Sequence, residues 1–278
     1  PEKSRDAIFD SLKARRTYAT SGERIILDYD VSGGGFGQRI AMTDKRTVKL
    51  RAIGTAPIRE ITIVKNGRDV FTQDYLADPT GKSNRIAVEF FSATDPQIRD
   101  NARGWRRWEG TLTVKGARMD GFSAPGFTPS ISDKVERSDK PGVLNLDFGT
   151  RGATQTVYLD LAGVSAGATI EIDVRAVRET GTPLEVATFH DYPATKLSLP
   201  LAKMKQGVYA VETAGAVTAD RISIRTVRKD APMDQSVEWT DPAPGLPDDT
   251  YYVRVVQADE ARAFTSPVWV GGFSRQTQ

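Results

Sequence analysis

Alternation of apolar and polar residues with period two recurs along this chain from about residue 24 to residue 257. Successive side chains of a β-strand point to opposite faces, so such runs pair into sheets that bury one face. The segments RIILDYDV (24–31), TVKLRAIG (47–54), IAVEFFSAT (86–94), WEGTLTVKGAR (108–118), VLNLDFG (143–149), TQTVYLDLAG (154–163) and ATIEIDVRAV (168–177) all read as strands. In REITIVKNGRDVFTQDY two runs meet at Asn66-Gly67, a dipeptide that supplies both positive-φ positions of a type I′ hairpin turn. After a weaker region come GVYAVETA and DRISIRTVRK. The chain then closes on TYYVRVVQADEARAFTSPVWVGG, a hairpin with Asp259-Glu260 near its tip.

The first twenty residues follow a different rule. In SRDAIFDSLKARR, residues Ala7, Ile8, Leu12 and the stems of Arg15 and Arg16 fall at helical spacing behind Ser4 as N-cap, predicting a helix over 4–16 that ends before Gly22. Two proline-rich stretches, 121–141 and 240–249, read as linkers or long turns. The 278 residues suit one large domain or two ordinary ones. The expected fold is mainly β: two β-sandwich-like (immunoglobulin-like) modules with one N-terminal α-helix. The helix and its turn take 1–22, the first module takes 23–120 with 250–272, and the second takes 142–232. If the closing hairpin returns to the first module, the second is an insertion.

Charge and composition exclude several functions. Thirty-eight basic residues against thirty-six acidic ones leave no excess to neutralise a phosphate backbone, so nucleic acid is not an expected partner. No run of 18 apolar residues encodes a transmembrane helix. Without cysteine there is no thiolate catalysis, disulfide or Cys-ligated zinc.

Catalytic constellations are equally scarce. The single histidine, His190 beside Asp191, is too little for a hydrolytic metal site, and no G-x-S-x-G elbow presents a nucleophile. No catalytic residue, metal ligand or cofactor is therefore expected within the chain. The cluster Ser32-Gly-Gly-Gly-Phe-Gly37 lacks the Lys-Ser/Thr and helix of a phosphate loop, and reads as a strand connection. The segment NARGWRRW offers the best surface candidate. Trp105 and Trp108 with Arg103, Arg106 and Arg107 would make a stacking and anion-binding platform for a carbohydrate or similar ligand. The ordinary alternative, which we favour, is that the tryptophans pack at the start of a strand while the arginines snorkel outward or pair with Asp95 and Asp100.

The two ends are the most distinctive text. At the front Phe9, Leu12, Arg15, Arg16, Tyr18, Ala19, Thr20, Ser21, Gly22 and Arg24, and at the back Tyr251, Tyr252, Val253, Arg254, Gln257, Asp259, Ser266, Pro267 and Trp269, resemble segments of the bacterial domain of unknown function 3604 family. Glu260 stands where that family usually has glycine, and Ala263-Phe264-Thr265 replaces Ala-Trp-Ser. In the family the front segment follows a PHP-type (polymerase and histidinol phosphatase) metallohydrolase barrel. The resemblance implies a non-catalytic, β-rich C-terminal region that shapes or covers the active site of an upstream barrel, its partner within the same protein. That barrel would hold a divalent metal and act as a metal-dependent hydrolase, such as a phosphoesterase. Arg15, Arg16, Tyr18, Thr20, Ser21 and Arg24 become interface candidates, with a helix cap and turn at Thr20-Ser21-Gly22 as the plainer explanation. A carbohydrate-binding sandwich, or a structural protein of the cell envelope, remains open.

Overall fold

The computed structural model describes residues 2–94, 104–126, 133–177, 194–204, 207, 209–212, 220–243 and 245–271. The chain is mainly β and divides into two compact units: residues 1–76 with 230–278, and residues 77–229. In chain order the first unit contributes α1 (Arg5–Lys13), β1 (Tyr18–Thr20), β2 (Ile26–Val31), β3 (Arg39–Ile40), β4 (Thr47–Ile53), β5 (Ile58–Lys65) and β6 (Arg68–Asp74). The second unit supplies β7 (Arg85–Phe91), β8 (Trp105–Lys115), β9 (Arg118–Ser123), β10 (Lys134–Arg137), β11 (Val143–Arg151), β12 (Thr154–Ala162), β13 (Thr169–Val177), β14 (Thr195–Pro200), the single turn α2 (Leu201–Met204), β15 (Tyr209–Glu212) and β16 (Arg221–Val227). The chain then re-enters the first unit with β17 (Asp234–Thr240), β18 (Asp249–Gln257), β19 (Arg262–Thr265) and β20 (Val268–Val270).

The first unit is a sandwich of a seven-stranded and a three-stranded sheet. In the large sheet β18 is central: β5 pairs along one side, while β19 and β20 share the other. The small sheet runs β17-β4-β2. Strict alternation sends Leu27, Tyr29, Val31, Val48, Leu50 and Ala52 inward and Asp28, Lys49 and Arg51 outward. The inward set joins Ile61, Ile63, Tyr251, Val253 and Val255 of the large sheet in one core. Asn66 and Gly67 hold φ +51° and +77°, the left-handed pair that a type I′ turn requires.

The second unit packs two five-stranded antiparallel sheets, β10-β11-β8-β13-β14 and β15-β16-β7-β12-β9, around a single apolar core. Leu112, Leu146, Phe148 and Ile172 come from one sheet, and Val88, Phe90, Leu159 and Ile224 from the other. No helix among the described residues is long and apolar enough to cross a membrane.

Several boundaries differ from the sequence reading. Residues 121–141 do not separate modules, because β8 before them and β11 after them are hydrogen-bonded neighbours, with Trp108 opposite Phe148. Proline and polar residues mark a loop equally well inside a sandwich and between two. The division falls instead at 76/77 and 229/230, so β7, β8 and β9 belong to the second unit. The expected strand over 108–118 is the end of one strand and the start of the next, turning at Gly116 with φ +69°. The helix stops at Lys13, and DQSVEWT, unassigned from sequence, forms edge strand β17.

Candidate functional site

The two distinctive terminal segments, some 250 residues apart in sequence, lie side by side on one edge of the seven-stranded sheet. Strand β1 pairs antiparallel with β19, setting Tyr18 opposite Thr265 and Thr20 opposite Ala263. Thr17 Oγ1 and Ser266 Oγ share a 3.3 Å hydrogen bond. Ser21 Oγ accepts from the Arg262 N–H at 2.8 Å, and the Ser21 N–H donates to the Arg262 carbonyl at 2.9 Å. Thr20, Ser21 and Gly22 therefore finish a strand pairing rather than cap the helix. Tyr18 stacks on Phe36 with ring centroids 5.7 Å apart. Arg16 and Arg24 are exposed.

The helix ends earlier, in a Schellman arrangement. The Arg16 N–H reaches the Ser11 carbonyl at 2.9 Å, and the Arg15 N–H reaches the Leu12 carbonyl at 3.0 Å. Arg15 holds the left-handed position at φ +58°, where glycine is usual and another L-residue costs about 1–2 kcal/mol. Its side chain supplies the compensation. Nε donates to the Gly37 carbonyl at 3.3 Å, and the guanidinium lies 5.3 Å from the centroid of Trp269. The Arg39 guanidinium lies 5.4 Å from the same ring. Gly37 has no alternative here, since a Cβ would come within 2.2 Å of the Arg15 carbonyl oxygen. The glycine cluster is thus a packing surface for the helix terminus. Its amides are occupied as well: Gly33 donates to Asp30, Gly34 to Val31 and Gly35 to Gln38, which leaves no row of N–H groups to cradle a phosphate.

Helix α1 itself buries none of its nine residues. Ser4 caps its start by accepting from the Ala7 N–H at 3.2 Å. Ala7 and Ser11 are half-buried, whereas Ile8, Phe9 and Leu12 are 58%, 63% and 60% exposed. A helix this short is marginal in water without packing, and three large apolar side chains together on its open side are an uncovered surface.

The tryptophan–arginine candidate lies on β8, with Arg103 outside the described residues, together with Asp95, Asp100 and His190. Trp108 is fully buried, with its Nε1 donating to Thr150 Oγ1 at 2.9 Å and its ring 5.4 Å from Phe90. No ring face is left for a ligand. Arg106, two residues away, shares the inward face by the period of the strand and is 1% exposed. Its Nε donates to Asp220 Oδ2 at 2.5 Å, and Asp220 Oδ1 accepts from the Ala93 N–H at 2.8 Å. Arg107 faces the other way, against Asp147 at 2.6 Å and Glu109 at 3.7 Å. Trp105 begins the same strand. The expectation that tryptophans pack at the strand start holds for Trp108. The expectation that the arginines snorkel outward fails for Arg106, because sharing an inward face with Trp108 takes it into the core, where a buried carboxylate must meet it.

Sequence reasoning missed a buried ionic network in the first unit. Arg46 and Asp249, both sealed from solvent, form an ion pair. Lys65 Nζ lies 2.7 Å from Asp241 and 3.3 Å from Asp249. The Tyr251 hydroxyl donates to Asp241 at 2.6 Å, and Asn66 Nδ2 donates to Asp249 at 2.7 Å. Burial raises both carboxyl pKa values, but the opposing hydrogen bonds win: Lys65 and Tyr251 hold Asp241 below the usual carboxylate range, while Asn66, the Leu246 N–H and Lys65 do so for Asp249. Burial likewise pulls Lys65 down, and its bonds to Asp241, Tyr251 and Asp249 outweigh that and leave it above an ordinary lysine. Burial, then the hydrogen bond donated to Asp241, push the Tyr251 phenol up. Two cations meet two carboxylates and the remaining polar atoms are hydrogen-bonded, so the network fixes a turn and has no free base or acid to lend to catalysis. Its ion-paired partners stand 176 to 203 residues apart, and no local pattern announces them.

A shallow depression of about 450 Å³ lies over the outer face of the three-stranded sheet, among Asp28, Asp30, Lys49, Arg51 and Glu238. Both cations of this face are held in cross-strand pairs, Lys49 with Glu238 at 3.6 Å and Arg51 with Asp234 at 2.7 Å. Among the described residues no group of three or more His, Asp or Glu side chains is placed to hold a metal ion.

No protein-family model matches the chain. It is similar to an uncharacterized protein of Chlamydia pneumoniae, 27% identical over 127 residues that cover 37% of this chain and 20% of that protein. It is also similar to an uncharacterized protein of Chlamydia muridarum, 32% identical over 75 residues, 25% of this chain and 12% of that protein. The chain therefore spans a fifth or less of the length of the curated relatives it matches. Among solved structures, a variant of the major pilin subunit of Bacillus cereus aligns at 10% identity over 91% of this chain and 68% of that one, with a TM-score of 0.13. So low a score carries no structural argument.

Proposed function

We propose that this chain is a non-catalytic β region of a longer protein, and that α1 is its attachment to the domain preceding it. The carrying observation is the placement of Ile8, Phe9 and Leu12, large apolar residues left more than half exposed among the described residues, on a helix whose other end is fastened to the sandwich. The greater length of the Chlamydia relatives supports a role as part of a larger molecule. In the reading that the terminal motifs suggest, the preceding domain is a PHP-like barrel. It carries the divalent metal and the hydrolytic, phosphoesterase-type chemistry, and this region shapes or covers its active site. The first-unit ionic network and the buried Arg106–Asp220 pair then serve rigidity.

The test is hydrogen exchange on the same α1 amides in this chain and in the complete gene product. Exchange of α1 is fast in the isolated chain, because the helix is unpacked, and slows when its partner is present. Equally fast exchange in the complete protein overturns the docking role. A preceding sequence without a His- and Asp-rich barrel overturns the hydrolase assignment and leaves the docking role standing.

A further inference from the structure

We infer that Arg15 works as a clasp that fixes the direction in which α1 leaves the first sandwich. Two tasks converge on this residue and can be separated chemically. Its backbone, at φ +58°, closes the Schellman end of the helix, which glycine would do with less strain. Its side chain does what glycine cannot: it crosses to the Gly37 carbonyl and lies against Trp269, itself flanked by Arg39. Trp269 belongs to β20, which pairs with both β18 and β3, so the guanidinium is tied to the interior of the large sheet rather than to a loose end. Gly37 admits the Arg15 backbone because it has no Cβ. With the following residues 18–20 committed to β19, helix and strand meet at a corner held from both sides. No residue of α1 is buried, so this corner orients the helix in place of face-to-face packing. Arg15 is thus a positioning residue that presents the Ile8-Phe9-Leu12 face in one direction before any partner arrives. That preorganisation lowers the ordering cost of docking. The use of the clasp rests on the docking role above; its existence does not.

The absence of cysteine allows a direct measurement. Spin labels on Ile8→Cys in the helix and Gln73→Cys on the exposed part of β6 report the direction of α1 relative to the same unit. The parent gives one narrow distance distribution. Arg15→Gly, which keeps the cap, loses the narrow peak while the helical circular dichroism of α1 remains, and Arg15→Lys, which keeps the charge without the planar fork, restores the peak only in part. A narrow peak that survives Arg15→Gly shows that the backbone corner alone aims the helix, and overturns the clasp. A distribution already broad in the parent overturns it too. Loss of the helix itself in Arg15→Gly would assign the side chain to helix formation and not to direction, which also overturns it. None of these outcomes depends on what α1 docks against, so failure of the clasp and failure of the docking role are read separately.

Discussion

Helix α1 and the start of strand β8 mix large apolar residues with basic ones, yet they occupy opposite environments. In α1, Ile8, Phe9 and Leu12 stand in solvent; in β8, Trp108 and even Arg106 are sealed. The difference lies in the neighbours. Strand β8 is the middle of five, hydrogen-bonded to β11 and β13, and one of its faces lies on the second unit's core. Every second residue is then buried whatever its chemistry, and a charged one survives only with a partner of opposite sign. Helix α1 is fastened to its unit at its C-terminal end, and none of its residues is buried. Its apolar face is exposed, whereas the basic residue in β8 is part of a core.

The comparison breaks most readily at the buried end. Asp220→Ala leaves the Arg106 guanidinium buried without its carboxylate, and should cost about 3–5 kcal/mol of stability. Trp108→Ala opens a cavity between the two sheets and strips Thr150 of its donor, with a loss of similar size, about 3–5 kcal/mol. Urea unfolding followed by hydrogen exchange in the second unit measures both. A loss below about 1 kcal/mol for Trp108→Ala would place its ring at the surface, as the stacking-platform reading requires, and one for Asp220→Ala would do the same for the Arg106 guanidinium.

A smaller effect comes from pH and belongs to the first unit. Asp241 and Asp249 have folded pKa values below their unfolded ones, so their contribution is present above about pH 4 and fades as acid carries the pH through the lower folded values. Lys65 and Tyr251 are raised in the folded state, so their contribution is present below about pH 10 and fades as the pH climbs through the higher folded values. First-unit stability should be flat between these limits and fall on both sides. In Asp249→Asn the acid limb should be shallower than in the parent. Identical acid limbs in urea titrations of the two proteins would remove the network from the account.

The smallest effect is expected at the helix. Ile8→Asp with Leu12→Asp should change the stability of this chain by no more than about 0.5 kcal/mol, since both side chains are more than half exposed. A clear drop in melting temperature would mean that the face packs within the chain in solution, and would erase the contrast with β8.

Most of the strand pattern was legible in the letters, for local reasons. Period two marked β2, β4, β11, β12 and β13, and Asn66-Gly67 marked the β5–β6 hairpin, because alternation and left-handed turn positions are properties of adjacent residues. Glu260 illustrates the limit of such reading. It stands where the resembled family has glycine, holds φ +66°, and is kept there by an ion pair with Arg59 that no neighbouring residue foretells. The candidate site was legible only in part. The terminal segments were distinctive as text, but not that β1 would pair with β19 or that Arg15 would reach Trp269.

What the sequence determined by itself was secondary structure and exclusion: a β chain with one leading helix, no thiol chemistry and no charge excess. The tertiary structure alone decided where the units divide, which face of β8 turned inward, and that two aspartates in a proline-rich turn would be buried against Arg46 and Lys65. The physical reason is sequence separation. Hairpins and alternation act over a few residues, while burial and ion pairing depend on partners that chain folding brings from more than a hundred residues away.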